Sequence, residues 1–172
     1  MAHTGQSVEK IAKTLINNAI NYDSYLWKID RLGPTTNRML ALAFSLTRGK
    51  REVSGLTRFV GHSAGITHDA SLFDRYIAEL QAKEKKSQRL ILPWSGKKEV
   101  EARPFTACAE AHVWLELYAR NLHPRHYYCV AFNGDGRIAP CCNNCKMWVH
   151  NAFFGVVTPN TEYNNRHTYS PR

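Results

Sequence analysis

The chain has 172 residues, of which 44% are hydrophobic and 11% aromatic, and its 23 Lys and Arg against 14 Asp and Glu give a formal net charge of +9. This length and composition exclude wholesale disorder and predict a globular domain that forms a core without disulfides. No uncharged apolar stretch of about eighteen residues occurs and the N-terminus lacks a signal-peptide apolar region, so we expect no membrane span and no membrane partner.

The first half of the chain is predicted to be mainly helical. Apolar residues at three- and four-residue spacing predict a helix over residues 8–32 and a second helix over about residues 35–49. Residues 51–67 contain three glycines without a clear period and are predicted to form a loop. A third helix is predicted over about residues 68–86, with apolar residues on one face.

The second half is predicted to alternate strands and helices. Residues 89–105 have the pattern of a β-hairpin with its turn at Ser95 and Gly96. The elements predicted after it are a helix from Thr106 to just before Pro124, a strand over 127–133, a helix over 143–154, a strand over 156–158 and a polar tail from Pro159.

All five cysteines lie between Cys108 and Cys145, and this number is odd. An odd number with a CxxC spacing is unlike a disulfide framework and typical of a metal site in a reducing compartment. Cys129 is the exception, because it lies in an apolar run where a small buried thiol is the ordinary interpretation.

Two short motifs carry the candidate chemistry. Cys108 and Glu110 are two residues apart at a predicted helix start, so the thiolate can face a metal while the carboxylate faces a substrate. Cys142 and Cys145 are spaced i, i+3, which places both sulfurs on one side of a helical turn. Three thiolate ligands leave one position of Zn²⁺ open for water, and a glutamate that is not a ligand can carry protons. The sequence predicts zinc ligands at Cys108, Cys142 and Cys145, with Glu110 as the catalytic residue.

This order, Cys108-Ala-Glu110 followed about thirty residues later by Pro140-Cys-Cys-Asn-Asn-Cys145, resembles the zinc-dependent cytidine-deaminase-like superfamily. The resemblance covers roughly residues 89–158. It implies an α/β fold with a mixed β-sheet sandwiched by helices, here with an N-terminal helical extension. It also implies one deaminase domain over residues 1–172, with a mainly helical part (1–88), a zinc-binding catalytic core (89–158) and a polar tail (159–172).

The cysteine cluster departs from the family pattern at one residue. The family places its first cysteine directly after proline, which here is Cys141, whereas the two-residue gap belongs to Cys142 and Cys145. The i, i+3 spacing favours Cys142, and Cys141 stays open as the alternative. A closed structural zinc site made by four cysteines is the non-catalytic alternative.

The predicted reaction is hydrolytic deamination of cytosine to uracil. Basic residues outnumber acidic ones by seven to two over residues 28–58 and by six to one over residues 83–98, which favours single-stranded DNA or RNA as the substrate. A basic surface that serves only solubility is the alternative. The candidate substrate-binding residues are two aromatic side chains that could stack on a base and one amide that could bind a sugar or base: Trp94, Phe132 and Asn144.

Other functions stay open from the sequence. They are a free cytidine or deoxycytidine deaminase, an adenine substrate, and a non-catalytic zinc module that binds nucleic acid or protein. The predicted helices upstream of residue 89, together with the basic charge, resemble deaminase toxin modules of bacterial secretion systems. That resemblance implies delivery by a secretion system, action in a reducing cytoplasm and an immunity protein as a partner. The sequence does not indicate an oligomeric state.

Overall fold

The computed structural model describes residues 8–18, 39–45, 53–54, 70–102, 104–133 and 135–159. Three short 3-10 turns, Phe105–Ala107, Pro124–His126 and Cys145–Met147, connect the regular elements. These elements are, in chain order, α1 (residues 8–18), β1 (Met39–Phe44), β2 (Val53–Ser54), α2 (Ala70–Ser87), α3 (Ala109–Ala119), β3 (Tyr128–Asn133), β4 (Ile138–Ala139), α4 (Val149–Ala152) and β5 (Gly155–Val157).

One mixed sheet of five strands organises these elements around β3. Strand β1 pairs antiparallel with the full length of β3, from Met39 opposite Asn133 to Phe44 opposite Tyr128, and β2 extends the sheet beyond β1. Along the other side of β3, β4 pairs antiparallel with its C-terminal half and β5 pairs parallel with its N-terminal half. The predicted α/β class is therefore confirmed, and the sheet takes two strands from the chain upstream of residue 89.

Helices cover both faces of the sheet. Because side chains alternate between the faces of a strand, β1 and β3 contribute to two separate cores. Leu40, Leu42 and Phe44 pack with α1 on one face, together with Val130 and Phe132 of β3. The other face presents small residues, Ala41, Ala43 and Cys129, to a core built with α2, α3 and α4. Small side chains there allow α3, which carries the first cysteine motif, to approach the sheet closely.

The predicted helix over residues 35–49 is wrong where the structure describes it, because residues 39–44 form strand β1. All but the first of these six residues are buried. A strand buried on both faces has a continuous apolar sequence, which a short window does not distinguish from a buried helix. The predicted loop over 51–67 likewise contains the two strand residues Val53–Ser54. Residues 35–38 and 46–49 lie outside the described residues.

The predicted hairpin over residues 89–105 is also wrong, since no described residue of this segment lies in a strand. A carboxylate holds the segment instead: Glu84 Oε2 of α2 accepts the backbone N–H groups of Ile91 (2.6 Å) and Leu92 (2.9 Å). Glu84 Oε1 accepts the Ser95 hydroxyl at 2.9 Å. Leu92 and Trp94 of this irregular segment are buried in the core, so its apolar run reflects burial without strand pairing.

The remaining predictions are confirmed in their type but not in every boundary. The helices over 68–86 and from Thr106, and the strands over 127–133 and 156–158, correspond to α2, α3, β3 and β5. The predicted helix over 143–154 is divided into a 3-10 turn and the four-residue α4. Residues 19–32 of the first predicted helix and the tail beyond residue 159 lie outside the described residues. Among the described helices, none combines the length and apolar character that crossing a membrane requires.

Candidate metal centre

The first cysteine motif forms the N-terminus of α3. Cys108 is the N-cap residue, with extended backbone angles, and its carbonyl accepts the N–H of Ala111 at 3.2 Å. Glu110 lies in the first turn, and both side chains are buried, with 2% of Cys108 and 5% of Glu110 exposed. A ring N–H of the buried His112 donates to the Thr106 carbonyl at 2.8 Å, which secures the turn that leads into Cys108. Burial lowers the pKa of His112, which favours the neutral form of its ring.

The second cysteine motif follows β4 and leads into the 3-10 turn Cys145–Met147. The sulfur of Cys142 accepts the backbone N–H of Cys145 at 3.4 Å, and the Cys142 carbonyl accepts the N–H of Lys146 at 3.0 Å. These contacts fold the segment into a tight turn. The turn places the sulfurs of Cys142 and Cys145 on the same side, as the i, i+3 spacing predicts.

The two motifs meet at their sulfurs. The Sγ atoms of Cys108, Cys142 and Cys145 all lie within 4.8 Å of one another, and those of Cys108 and Cys142 are 3.3 Å apart. A tetrahedral zinc ion with Zn–S bonds of about 2.3 Å requires sulfurs separated by about 3.8 Å, which small side-chain adjustments would reach. The three cysteines could therefore hold a metal ion, and thiolates favour soft metals such as zinc.

Cys141 lies beside this group without belonging to it. Burial is the largest cause that raises the pKa of its thiol, and the negative charge of the neighbouring Glu110 carboxylate adds to this effect. The group of three neighbouring sulfurs thus includes that of Cys142 but not that of Cys141, which lies beside Glu110. The choice of Cys142 as a ligand stays a prediction.

The surroundings of Cys108 and Cys145 favour the protonated thiol over the thiolate. The hydrogen bond with Cys142 is the largest cause that raises the pKa of Cys108 to about 12, and a hydrogen bond with Cys145 opposes it. Hydrogen bonds with Cys108 and Cys142 also raise the pKa of Cys145, and burial adds to the effect. Cysteine binds metals as thiolate, so binding of a metal ion here would displace these protons.

The three predicted substrate-binding side chains are all buried. Trp94 packs edge-on against Trp114 and Trp148, with ring centroids 5.8 and 5.0 Å apart, inside the core. Phe132 is fully buried in the core on the α1 face, opposite the face that carries the cysteines. The sequence did not reveal this, because the face of a strand residue depends on the register of the sheet.

Asn144 is fully buried and holds a loop to the cysteine turn. Its Oδ1 accepts the backbone N–H groups of Val100 at 2.9 Å and Glu101 at 3.1 Å. In return, Glu101 Oε1 accepts the backbone N–H of Asn143 at 3.1 Å. The 97–101 loop is thereby attached to the residues between Cys142 and Cys145. Sequence reasoning missed this link because it joins residues more than forty positions apart.

Replacing Asn144 with alanine is expected to lower the free energy of unfolding by about 1–3 kcal/mol, because two N–H groups lose their acceptor. Denaturant titration would measure this change. Asn143→Ala is the matched control, since the Asn143 side chain is exposed and its contact with Glu101 uses the backbone. Equal losses in the two variants would contradict the proposed attachment of the loop by Asn144.

Comparison with known proteins does not extend this description. No protein-family model matches the chain, and neither a curated protein nor a solved structure matches it significantly. The interpretation of the centre therefore depends on its own geometry and on the order of its motifs.

Proposed function

We propose that the chain is a zinc-dependent hydrolytic deaminase that converts cytosine to uracil in single-stranded DNA or RNA. The observation that carries the proposal is that three thiols converge from two separate turns while a buried carboxylate, Glu110, lies beside them. The residues involved follow the (His/Cys)-x-Glu and Pro-Cys-x-x-Cys signature of zinc deaminases, except that Cys141 stands between Pro140 and Cys142. The mixed sheet between helices agrees with the cytidine-deaminase-like fold that the motifs imply.

Zinc held by Cys108, Cys142 and Cys145 would keep one position open for water, whose pKa it lowers. The Glu110 carboxylate can accept a proton from this water and deliver it to the base. Glu110 would pass protons to the ring nitrogen and to the leaving amine, which would depart as ammonia while the oxygen of water takes its place on the ring carbon. The buried Cys141 thiol lies beside the same carboxylate.

The choice of a polymeric substrate is supported by charge. The net charge of +9 favours a polyanion. Free thiols at all five cysteines suit a reducing cytoplasm as the place of action. Delivery as a toxin, with an immunity protein as a partner, belongs to the same proposal and is supported by the basic charge and by helices α1 and α2 upstream of residue 89.

The direct test is sequencing of random single-stranded DNA and RNA pools after incubation with zinc-loaded protein, with free cytidine as a separate substrate. We expect cytosine-to-uracil conversion in at least one pool, with a rate that falls steeply as salt increases because several phosphates are contacted. Conversion of adenine, or of free cytidine alone, would refute the proposed substrate. Absence of any deamination by protein with stoichiometric zinc would refute the proposed enzyme.

A further inference from the structure

A groove of about 640 Å³ lies between α2, the C-terminal end of α3 and the 3-10 turn Pro124–His126. Its walls combine aromatic and basic side chains. Tyr76 and Lys83 come from α2, Tyr118 comes from α3, and His123 and Arg125 come from the segment that follows α3. The proposed deaminase chemistry does not use any of these residues.

The aromatic wall of the groove packs against the core. The Tyr118 ring stacks on Trp114 with centroids 4.9 Å apart and an interplanar angle of 13°. Trp114 is buried and contacts Trp94, which fixes the ring beneath Tyr118, while 37% of Tyr118 itself is exposed. An exposed ring that is already fixed in position can stack on a nucleobase at little cost in side-chain entropy.

The charge of the groove suits an anion. Lys83, His123 and Arg125 are exposed, whereas none of the described residues that line the groove is Asp or Glu. Positive side chains next to an aromatic platform are the combination by which proteins bind single-stranded nucleic acid, with phosphates on the cations and bases on the rings.

The groove and the candidate metal centre lie along the same helix, α3. Glu110, Trp114 and Tyr118 are spaced i, i+4, i+8 along α3 and therefore follow one side of the helix. At 1.5 Å of rise per residue, Tyr118 lies about 12 Å along the helix from Glu110. Asn151 and Ala152 at the end of α4 also line the groove. The groove thus lies near the C-terminal ends of α3 and α4, which follow the two cysteine motifs.

We propose that this groove binds the part of a single-stranded nucleic acid that flanks the reacting base. One base stacks on Tyr118, and backbone phosphates contact Lys83 and Arg125. The choice of ligand rests on the proposed function. The groove would allow the protein to bind a segment of the strand in addition to the reacting base.

The test is equilibrium binding of a fluorescent single-stranded oligonucleotide of about twelve thymidines, within the range of single-strand site sizes. This probe contains no cytosine, so its binding is independent of turnover. Tyr118→Ala is expected to weaken binding about tenfold or more, because base stacking is lost, whereas Tyr118→Phe keeps the ring and binds as the parent does. Lys83→Ala/Arg125→Ala is expected to weaken binding and to reduce the slope of log affinity against log salt by about 1.4, which corresponds to two phosphate contacts.

The matched control is Lys13→Ala/Arg137→Ala, which removes the same charge from a cleft on the α1 side of the sheet. Equal effects of the two double variants on affinity for the probe, or parental affinity in Lys83→Ala/Arg125→Ala, would overturn the proposal that the groove binds the strand. Circular dichroism and zinc content establish that each variant is folded. If Tyr118→Ala does not fold, the comparison of the two double variants tests whether the groove binds the probe. A protein that binds the probe through these residues but deaminates nothing would refute only the proposed function. If the protein deaminates oligonucleotides while all variants bind the probe equally, only the proposed binding of nucleic acid in the groove would be refuted.

Discussion

Replacing Glu110 with glutamine is expected to lower the rate of deamination by about 100- to 10,000-fold, the usual contribution of a general acid–base group. Glutamine has nearly the same shape but cannot accept and return a proton. Glu110 is buried beside the three sulfurs and does not belong to the group that could hold the metal, so the zinc content should not change. Initial rates on a cytosine-containing oligonucleotide, with elemental analysis of each preparation, would measure both quantities.

Glu116→Gln is the matched control for this substitution. Glu116 lies on the same helix and pairs with Arg120 near its C-terminal end, away from the cysteines. Surface ion pairs of this kind contribute about 0–1 kcal/mol, so the control should keep its activity. A Glu110→Gln protein as active as the control would show that Glu110 does not carry the proton.

Cys142→Ala is expected to weaken zinc binding by more than about 100-fold, since even residues that only support zinc ligands change the affinity by about 10- to 100-fold. The neighbouring Cys141→Ala should keep its zinc, because the Cys141 thiol contacts Glu110 and lies outside the group of three sulfurs. Because metal binding contributes to folding, the loss in Cys142→Ala should also lower the Tm. Competition with a chromogenic chelator and thermal unfolding would measure the two effects.

The two substitutions are identical and adjacent in sequence, so they share most side effects. Cys129→Ala provides a further control, as this thiol is buried on β3 and does not belong to the sulfur group. Loss of zinc in Cys141→Ala but not in Cys142→Ala would assign the ligand to Cys141. Loss in both would indicate a closed four-thiol site and would contradict the open position that the proposed chemistry requires.

The elements that sequence patterns predicted well are those with one clear signal. Helix α2 has a polar and an apolar face, and β3 is an apolar run next to turn residues. Strand β1 was predicted as a helix because both of its faces are buried. Its sequence is therefore a continuous apolar run without the two-residue alternation of apolar and polar residues that marks a half-buried strand. Residues 90–94 form an apolar run bounded by turn residues, which resembles a strand, yet the N–H groups of Ile91 and Leu92 donate to Glu84 and not to a neighbouring strand.

The candidate centre was predictable to the extent that its geometry is local. Cys108 and Glu110 share a helix start, and Cys142 and Cys145 share a turn, so spacing alone relates the members of each pair. Long-range contacts decide the rest. The burial of Phe132 on the α1 face follows from sheet register, and the role of Asn144 follows from a contact with a distant loop. Neither leaves a periodic signal in the sequence.

The most direct test of the proposed deaminase is mass spectrometry of a cytosine-containing oligonucleotide that has been incubated with zinc-loaded protein in water enriched in heavy oxygen. Hydrolytic deamination predicts that each converted cytosine becomes a uracil carrying one solvent-derived oxygen in place of its amine. The reaction should disappear when zinc is chelated and when Glu110 is replaced by glutamine. An oligonucleotide of unchanged mass, with zinc bound in full and the protein folded, would contradict the proposal.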